Sequence, residues 1–264
     1  MRDVSAQELN SKWEFLSPKR VSRSFKVKTS CFGEWRSRMI KFFLIILFEF
    51  FIFNLSYAAP CYGSRMPKKK KIFMGIQTHA VFKRYLEDEF GKVRSTQHFV
   101  LLSLGVYDWL SLDLKAAAGN LKQHPCGTAE LDYSSGFAGG YGFRLRLYER
   151  NNFKTVFGFQ HISVHPRKVW QGSIKHRAIL DDWQFSLLGS YNFKKFTPYL
   201  GMRWSRLDYI HWEDDSRKRI KSDLTKDMGL IVGVDIPFKK NLWMNLEGNF
   251  FDSEALALSI NYSF

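Results

Sequence analysis

From Ile72 onward, apolar residues alternate with polar or small residues in short segments that turn residues separate. The clearest segment covers residues 254–264, where one set of alternate positions is large and apolar and the other is small or polar. The large set comprises Leu256, Leu258, Ile260, Tyr262 and Phe264. Side chains of a β-strand point alternately to two faces, so this period of two predicts a strand with one apolar face.

The same alternation recurs about ten times between residues 72 and 264, each segment being close to the ~9–11 residues of a tilted membrane-spanning strand. Well-defined examples are Ser95–Tyr107, the segment that starts at Leu110, and Phe153–Val164. An all-β fold of about ten strands is therefore expected. Eight strands remain possible if two segments form one strand interrupted by a bulge.

The connections between these segments alternate between short and long. Short ones are predicted at 108–109, 149–152, 194–198 and 237–241, and long ones at 83–94, 122–135, 165–176 and 212–226. Transmembrane barrels have brief turns at one end and extended loops at the other. The pattern predicts a transmembrane antiparallel up-and-down β-barrel.

Charged residues occupy positions opposite to the apolar face and are expected to project into the barrel lumen. They are Asp113, Lys115, Arg144, Arg146, Arg203, Asp227, Asp235 and Glu247. The lumen of a small barrel is narrow enough for side chains to fill it. These charges therefore predict either a lumen filled with paired ions or a small charged pore.

Aromatic residues cluster near the predicted ends of the strands. Those at the short-turn end include Tyr107, Trp109, Tyr199 and Trp243. Tyr and Trp are enriched at membrane interfaces, so these residues are expected to form one of two aromatic girdles.

The region before the first strand has the features of an export signal. Residues 39–58 contain a charged start, the apolar run Phe42–Phe48 and small residues before Ala58, which predicts a signal peptide cleaved after Ala58. Residues 1–38 form a basic N-terminal extension that is not expected in the mature protein. Residues 59–71 are predicted to be a periplasmic tether, followed by the barrel at 72–264.

The formal net charge is +15, of which +5 falls within residues 1–58. Such a charge could indicate nucleic-acid binding, but part of it belongs to the predicted leader, and no nucleic-acid partner is predicted. Basic residues also cluster in the long loops. The cluster comprises Arg167, Lys168, Lys175, Arg177, Arg217, Lys218 and Arg219. Lysine and arginine suit phosphate groups, so a contact with lipopolysaccharide is predicted.

The last strand resembles the C-terminal signal strand of Gram-negative outer-membrane barrels. This resemblance implies that Ile260, Tyr262 and Phe264 are recognised by the barrel insertion machinery. With the signal peptide and the loop asymmetry, residues 59–264 resemble the small outer-membrane barrel superfamily of OmpA-type and opacity-type porin-like proteins. The resemblance implies an outer-membrane protein that contacts outer-membrane lipid, and we expect a monomer.

Several side chains near the long-loop end are of types that could serve in catalysis. Asp181, Asp182, Asp208 and His211 suggest a rim protease, but Asp208 and His211 are three residues apart and should face opposite sides. Ser163 and His165 share a face without a supporting motif, and His161, His165 and His176 are expected to be solvated. No catalytic residue, cofactor or metal site is therefore predicted.

The sequence favours a structural, adhesive or small-pore role without catalysis. One alternative is an outer-membrane enzyme that acts on lipid or peptide at the extracellular rim. Another is a soluble periplasmic lipid-binding barrel, which would turn its apolar face inward. Arg144 and Arg146 distinguish the membrane barrel from this carrier, because in the membrane barrel both should face the lumen.

Overall fold

The computed structural model describes residues 63–214, 216 and 220–264. Its strands are β1 Ile72–Tyr85, β2 Lys92–Tyr107, β3 Leu110–His124, β4 Leu131–Arg150, β5 Phe153–His165, β6 Val169–Gln171, β7 Ile174–Tyr191, β8 Thr197–Glu213, β9 Ile220–Ser222, β10 Met228–Pro237, β11 Leu242–Phe250 and β12 Glu254–Ser263. A short 3-10 helix covers Asp88–Phe90. Among these residues, no helix is long and apolar enough to cross a bilayer. The predicted extension and signal peptide lie outside the described residues.

The ten long strands form one closed antiparallel barrel. Each pairs with its neighbours in chain order, β7 pairs with β8, and β12 returns to β1. At this seam Met74 lies opposite Tyr262, and Ile76 lies opposite Ile260. At the long-loop end, the short strand β6 pairs with β7, and the short strand β9 pairs with β8. The predicted up-and-down barrel is confirmed, with ten strands and not eight.

The alternation of short and long connections is confirmed, but several strand boundaries at the long-loop end were wrong. β4 contains 20 residues, β7 contains 18 and β8 contains 17, whereas β10 and β12 contain 10 each. Much of the segments predicted as loops at 122–135 and 165–176 is therefore strand. In these extensions polar residues also face outward, so the apolar alternation that marks a membrane-embedded strand is absent.

The barrel wall has an apolar exterior and a polar interior. On β3, Leu112 and Leu114 are 49% and 54% exposed, while Asp113 and Lys115 between them are 1% and 4% exposed. Leu258 on β12 also points outward. On each long strand, four or five alternate positions that face outward are mainly apolar, and together they form what we call the outward band. The length of strand that these positions cover is close to the ~9–11 residues of a tilted membrane-spanning strand. A soluble lipid carrier would have the opposite polarity.

The aromatic girdle at the short-turn end is only partly as predicted. Tyr107 and Trp109 lie outside the barrel and stack with ring centroids 5.5 Å apart. Tyr199 and Trp243 were wrongly assigned to the girdle, since both are buried in the lumen. They share the parity of inward residues on their strands, so strand phase determines their direction more than aromatic character does.

Residues 63–71, which we call the N-terminal plug, belong to the predicted periplasmic tether and make contacts inside the barrel. The Ser64 hydroxyl donates to Asp235 Oδ2 at 2.9 Å inside the barrel. The Arg144 guanidinium donates to the carbonyl oxygen of Arg65. The Lys70 amide donates to the Gly105 carbonyl at 2.7 Å. These contacts hold the plug in the short-turn end of the lumen.

Gly63 fits the inner end of the N-terminal plug because it lacks a side chain. Its φ of +73° lies in the left-handed region. A Cβ atom here would lie 2.7 Å from Asn245 Nδ2 and 3.0 Å from Asp235 Oδ1. The backbone can therefore approach the lumen side chains closely only with glycine at this position.

Replacing Leu114 by arginine tests the placement of the outward band. We expect the free energy of unfolding in lipid vesicles to fall by about 2–4 kcal/mol, because a charge would enter hydrocarbon. Urea-induced unfolding measures the loss. The matched control is Thr128→Arg in the exposed connection between β3 and β4, which should change little. Equal losses in both variants would contradict this placement.

Candidate functional site: the filled lumen and its outer mouth

The short-turn half of the lumen contains an ion pair between β3 and β4. Arg144 Nε lies 2.8 Å from Asp113 Oδ2, and Arg144 Nη2 lies 2.8 Å from Asp113 Oδ1. Arg144 Nη2 also donates to Ser103 Oγ at 2.9 Å. This two-point contact fixes the guanidinium beneath the N-terminal plug and neutralises both charges.

Across the lumen, polar side chains from three strands form a second group. Asn245 Nδ2 donates to Asp235 Oδ1 at 2.9 Å and to the Tyr199 hydroxyl at 2.7 Å. That hydroxyl donates to Glu247 Oε2 at 2.9 Å. Because Ser64 also binds Asp235, the plug is linked to this wall of the barrel.

The middle of the lumen contains two arginines and two aspartates that connect distant strands. Arg203 Nη2 lies 2.7 and 2.6 Å from the two carboxylate oxygens of Asp252. Arg84 Nη1 donates to Asp182 Oδ2 at 2.6 Å, and Arg84 Nη2 lies 3.6 Å from Asp252 Oδ2. All four side chains are buried, so their opposite charges compensate one another where water is scarce. We call this set the central ion quartet.

Towards the long-loop end, the lumen is closed by apolar packing that the sequence analysis did not predict. The buried set includes Leu121, Leu131, Leu180 and Leu207, together with Tyr133 and Tyr209. All of these residues are at most 5% exposed. Leu86 and Leu224 belong to the same cluster, although they come from the connections near β1 and β9. These residues form an apolar layer across several strands at this level of the barrel.

The predicted lumen charges divide into two groups. Asp113, Lys115, Arg144, Arg203, Asp235 and Glu247 are buried in the lumen. Arg146 was wrongly predicted to face the lumen, because it lies at the short-turn rim beside Glu149 and the Asp108 carbonyl. The prediction that Asp227 faces the lumen was also wrong, since Asp227 is exposed and accepts a hydrogen bond from the indole nitrogen of Trp204 at 2.8 Å. A bulge at residues 146–148 and the position of Asp227 ahead of β10 explain both errors.

Three members of the central ion quartet were not predicted as lumen charges. The pairing of β1 with β2 shifts between Val81 and Arg84, so counting alternate positions from the start of β1 assigns Arg84 to the wrong face. Asp252 lies in a turn, where no alternation exists. Asp182 shares the parity of Gln184 and Ser186, and this signal could have placed it in the lumen.

The side chains considered for catalysis are divided between the two faces of the outer wall. Asp181 and Asp208 lie opposite each other on the outer surface, whereas Asp182 and His211 face the lumen. Ser163 Oγ lies 2.8 Å from His165 Nε2 on the outer surface. The carboxylate of Asp181 lies 3.7 Å from His161 Nε2 on the same outer surface.

The basic residues predicted to contact lipopolysaccharide lie at the long-loop end where they are described. Lys168 Nζ and Lys175 Nζ lie 6.0 and 5.9 Å from the ring centroid of Trp170 on β6. Arg177 is half-buried on the outward face of β7, and Arg167 is exposed. The other predicted contacts, Arg217, Lys218 and Arg219, fall outside the described residues.

The residues of the predicted insertion signal lie on the outer surface next to the barrel seam. Ile260, Tyr262 and Phe264 are all exposed. The Phe264 amide donates to the Ile72 carbonyl at 3.0 Å, and the rings of Tyr262 and Phe264 pack edge to face with centroids 4.9 Å apart. This side of β12 therefore continues the outward band to the short-turn end.

Comparison with solved structures finds outer-membrane proteins that are similar to this chain at low sequence identity. No protein-family model matches the sequence, and no curated protein matches it. The translocator domain of the autotransporter NalP from Neisseria meningitidis is 12% identical, with 76% of this chain and 90% of that chain covered and a TM-score of 0.43. The outer-membrane protein OprG from Pseudomonas aeruginosa is 13% identical over 75% of this chain and 98% of that chain, with a TM-score of 0.40. The outer-membrane protease OmpT from Escherichia coli is 12% identical over 74% and 95%, with a TM-score of 0.38.

The location of the protein follows from its own surface. A closed barrel leaves no unpaired strand edge, its outward band is apolar, and charged residues such as Asp113 and Arg144 are enclosed. The protein is an integral outer-membrane β-barrel.

Replacing Arg203 by methionine tests the central ion quartet. We expect the free energy of unfolding to fall by about 3–5 kcal/mol, because Asp252 would stay buried without its closest cation. Urea titration followed by tryptophan fluorescence measures this loss. Arg94→Met is the matched control, since Arg94 forms an exposed pair with Glu130 and should contribute about 0–1 kcal/mol. A small loss for Arg203→Met would show that the quartet is not needed for stability.

Proposed function

We propose that this protein is a non-conducting outer-membrane barrel with a structural or adhesive role. The filled lumen is the observation that supports this role over the small pore. The N-terminal plug occupies the short-turn end, the central ion quartet crosses the middle, and apolar side chains fill the part beyond it. A conducting barrel would need a continuous water-filled path past all three.

The same proposal includes how the protein reaches its membrane. Export uses the signal peptide at 39–58, and the outward side chains of Ile260, Tyr262 and Phe264 are recognised by the insertion machinery. Assignment to the OmpA-type and opacity-type superfamily is also part of this proposal, although its members commonly have eight strands. We propose a monomer, because closure of β1 on β12 leaves no barrel strand in need of a partner chain.

The extended outer wall is the surface that a structural or adhesive role would use. β4, β7 and β8 continue past the outward band towards the long-loop end. Above the band their outward side chains include charged residues such as Asp181, Arg206 and Asp208, together with apolar ones such as Ile179 and Ile210. This part of the wall suits contact with lipid headgroups or with molecules outside the cell.

Purified full-length protein in planar lipid bilayers tests the proposed closed lumen. We expect no stepwise ion conductance at neutral pH in samples whose folded state is verified by heat-dependent gel mobility. Reproducible unitary currents from the folded protein would overturn the non-conducting role and support the small pore. Labelling of Ser163 by a fluorophosphonate probe would instead support the enzyme alternative.

Lys168 and Lys175 support a lipopolysaccharide contact because both lie beside Trp170 on the outer hairpin. We expect Lys168→Glu combined with Lys175→Glu to reduce unfolding free energy more in lipopolysaccharide than in neutral detergent. The expected difference is about 1 kcal/mol per lysine. Lys239→Glu combined with Lys240→Glu, in the turn at the opposite end, makes the same charge change as a control. Equal losses in the two media would argue against the contact.

A further inference from the structure

Two histidines and one glutamate meet at the outer mouth of the lumen. His176 comes from β7, and His211 and Glu213 come from β8. His176 is paired with Glu213 across the two strands, while His211 lies two residues along β8 from that pair. This spacing places all three on the same side of the wall, because alternate residues of a strand share a face.

The three side chains are close enough to share one ion. His176 Nδ1 lies 3.2 Å from His211 Nε2, and it lies 3.6 Å from Glu213 Oε1. One ligand atom from each residue lies within 4.8 Å of the other two. Ligand atoms at 2.0–2.1 Å from a tetrahedral zinc ion are about 3.4 Å from one another. The distances of 3.2 and 3.6 Å are therefore close to the ligand-to-ligand distance of such a site.

The setting of the site holds both imidazoles in place. Both histidines are buried, and the two rings are nearly parallel, with 13° between their planes. Tyr209 of the apolar layer stacks against His211 from the inner side, with ring centroids 6.2 Å apart and an interplanar angle of 7°. The basic side chains of Lys175 and Arg177 belong to the opposite face of β7. The ligand group therefore lies between an apolar floor and the open end of the barrel.

We propose that His176, His211 and Glu213 bind a divalent transition-metal ion such as Zn²⁺ at the outer mouth of the barrel. Two imidazole nitrogens and one carboxylate suit Zn²⁺, Cu²⁺ or Ni²⁺, whereas Mg²⁺ and Ca²⁺ favour oxygen ligands. Glu213 is exposed on the solvent side, so the ion can enter from outside and keep a position for water. The bound ion links β7 to β8 at their outer ends.

This inference adds to the structural role proposed above and does not depend on whether the lumen conducts. The sequence analysis grouped His176 with His161 and His165, but those two residues lie on the outer surface of β5. The parity of His176 on β7 separates it from them and places it with His211. Only the pairing of β7 with β8 brings the three ligands together.

Calorimetric titration of the EDTA-treated, folded barrel with Zn²⁺ tests the site. We expect saturable binding of one ion, with affinity at least tenfold lower in His176→Gln and in His211→Gln, since each removes one of three ligands. His161→Gln combined with His165→Gln is the matched control and should leave the affinity unchanged. Three outcomes would each overturn the proposal. They are no saturable binding, an affinity in the His176 and His211 variants equal to that of the unchanged protein, and loss of binding in the control.

Two further measurements keep the test independent of folding. Glu213→Gln alters an exposed side chain, so it should keep the heat-dependent gel mobility of the folded barrel while weakening Zn²⁺ binding. Cu²⁺ used as a probe should give an electron paramagnetic resonance spectrum with nitrogen coupling from two imidazoles. A Cu²⁺ spectrum without that coupling, or unchanged Zn²⁺ affinity in Glu213→Gln, would contradict the assigned ligand set.

Discussion

The need to pair every backbone amide and carbonyl within the protein shapes this molecule. In hydrocarbon, an unpaired polar group costs several kcal/mol, so a sheet that crosses the membrane must close on itself. Here the closing seam runs from Phe73 opposite Ser263 to Lys83 opposite Glu254. Once the sheet is closed, each strand has one face towards lipid and one towards a narrow interior, and the alternation of the sequence follows from that division.

Closure also determines what the lumen can contain. Side chains from ten strands converge in a space too narrow for bulk water, so each buried charge needs a partner and each gap needs an apolar group. Arg144 with Asp113 and Arg203 with Asp252 meet the first requirement. The apolar layer and the N-terminal plug meet the second. The resulting interior resembles the core of a soluble protein more than the lining of a channel.

Above the outward band, the residues that face outward no longer need to be apolar. The extended parts of β4, β7 and β8 lie beyond the apolar outward band, so charged residues such as Asp181 and Arg206 can face outward there. Meanwhile their inner faces carry leucines and tyrosines that pack against one another. This part of the wall carries the basic residues Lys175 and Arg177 on its outer face and the cluster of His176, His211 and Glu213 on its inner face.

The sequence by itself determined the barrel, the direction of its apolar face and the location of its short turns, because a period of two and turn residues are local signals. The same alternation predicts inward positions for Asp113 and Arg144, and both are buried. Local signals failed at Arg84 because the pairing of β1 with β2 shifts there. They failed at Asp252 because a turn supplies this side chain. At the start of β7 they failed because neither face of the strand is consistently apolar. Only the tertiary structure decided which charges meet, that residues 63–71 enter the lumen, and that His176 faces His211. Those contacts join residues far apart in the chain, and their geometry depends on strand register, which alternation alone does not specify.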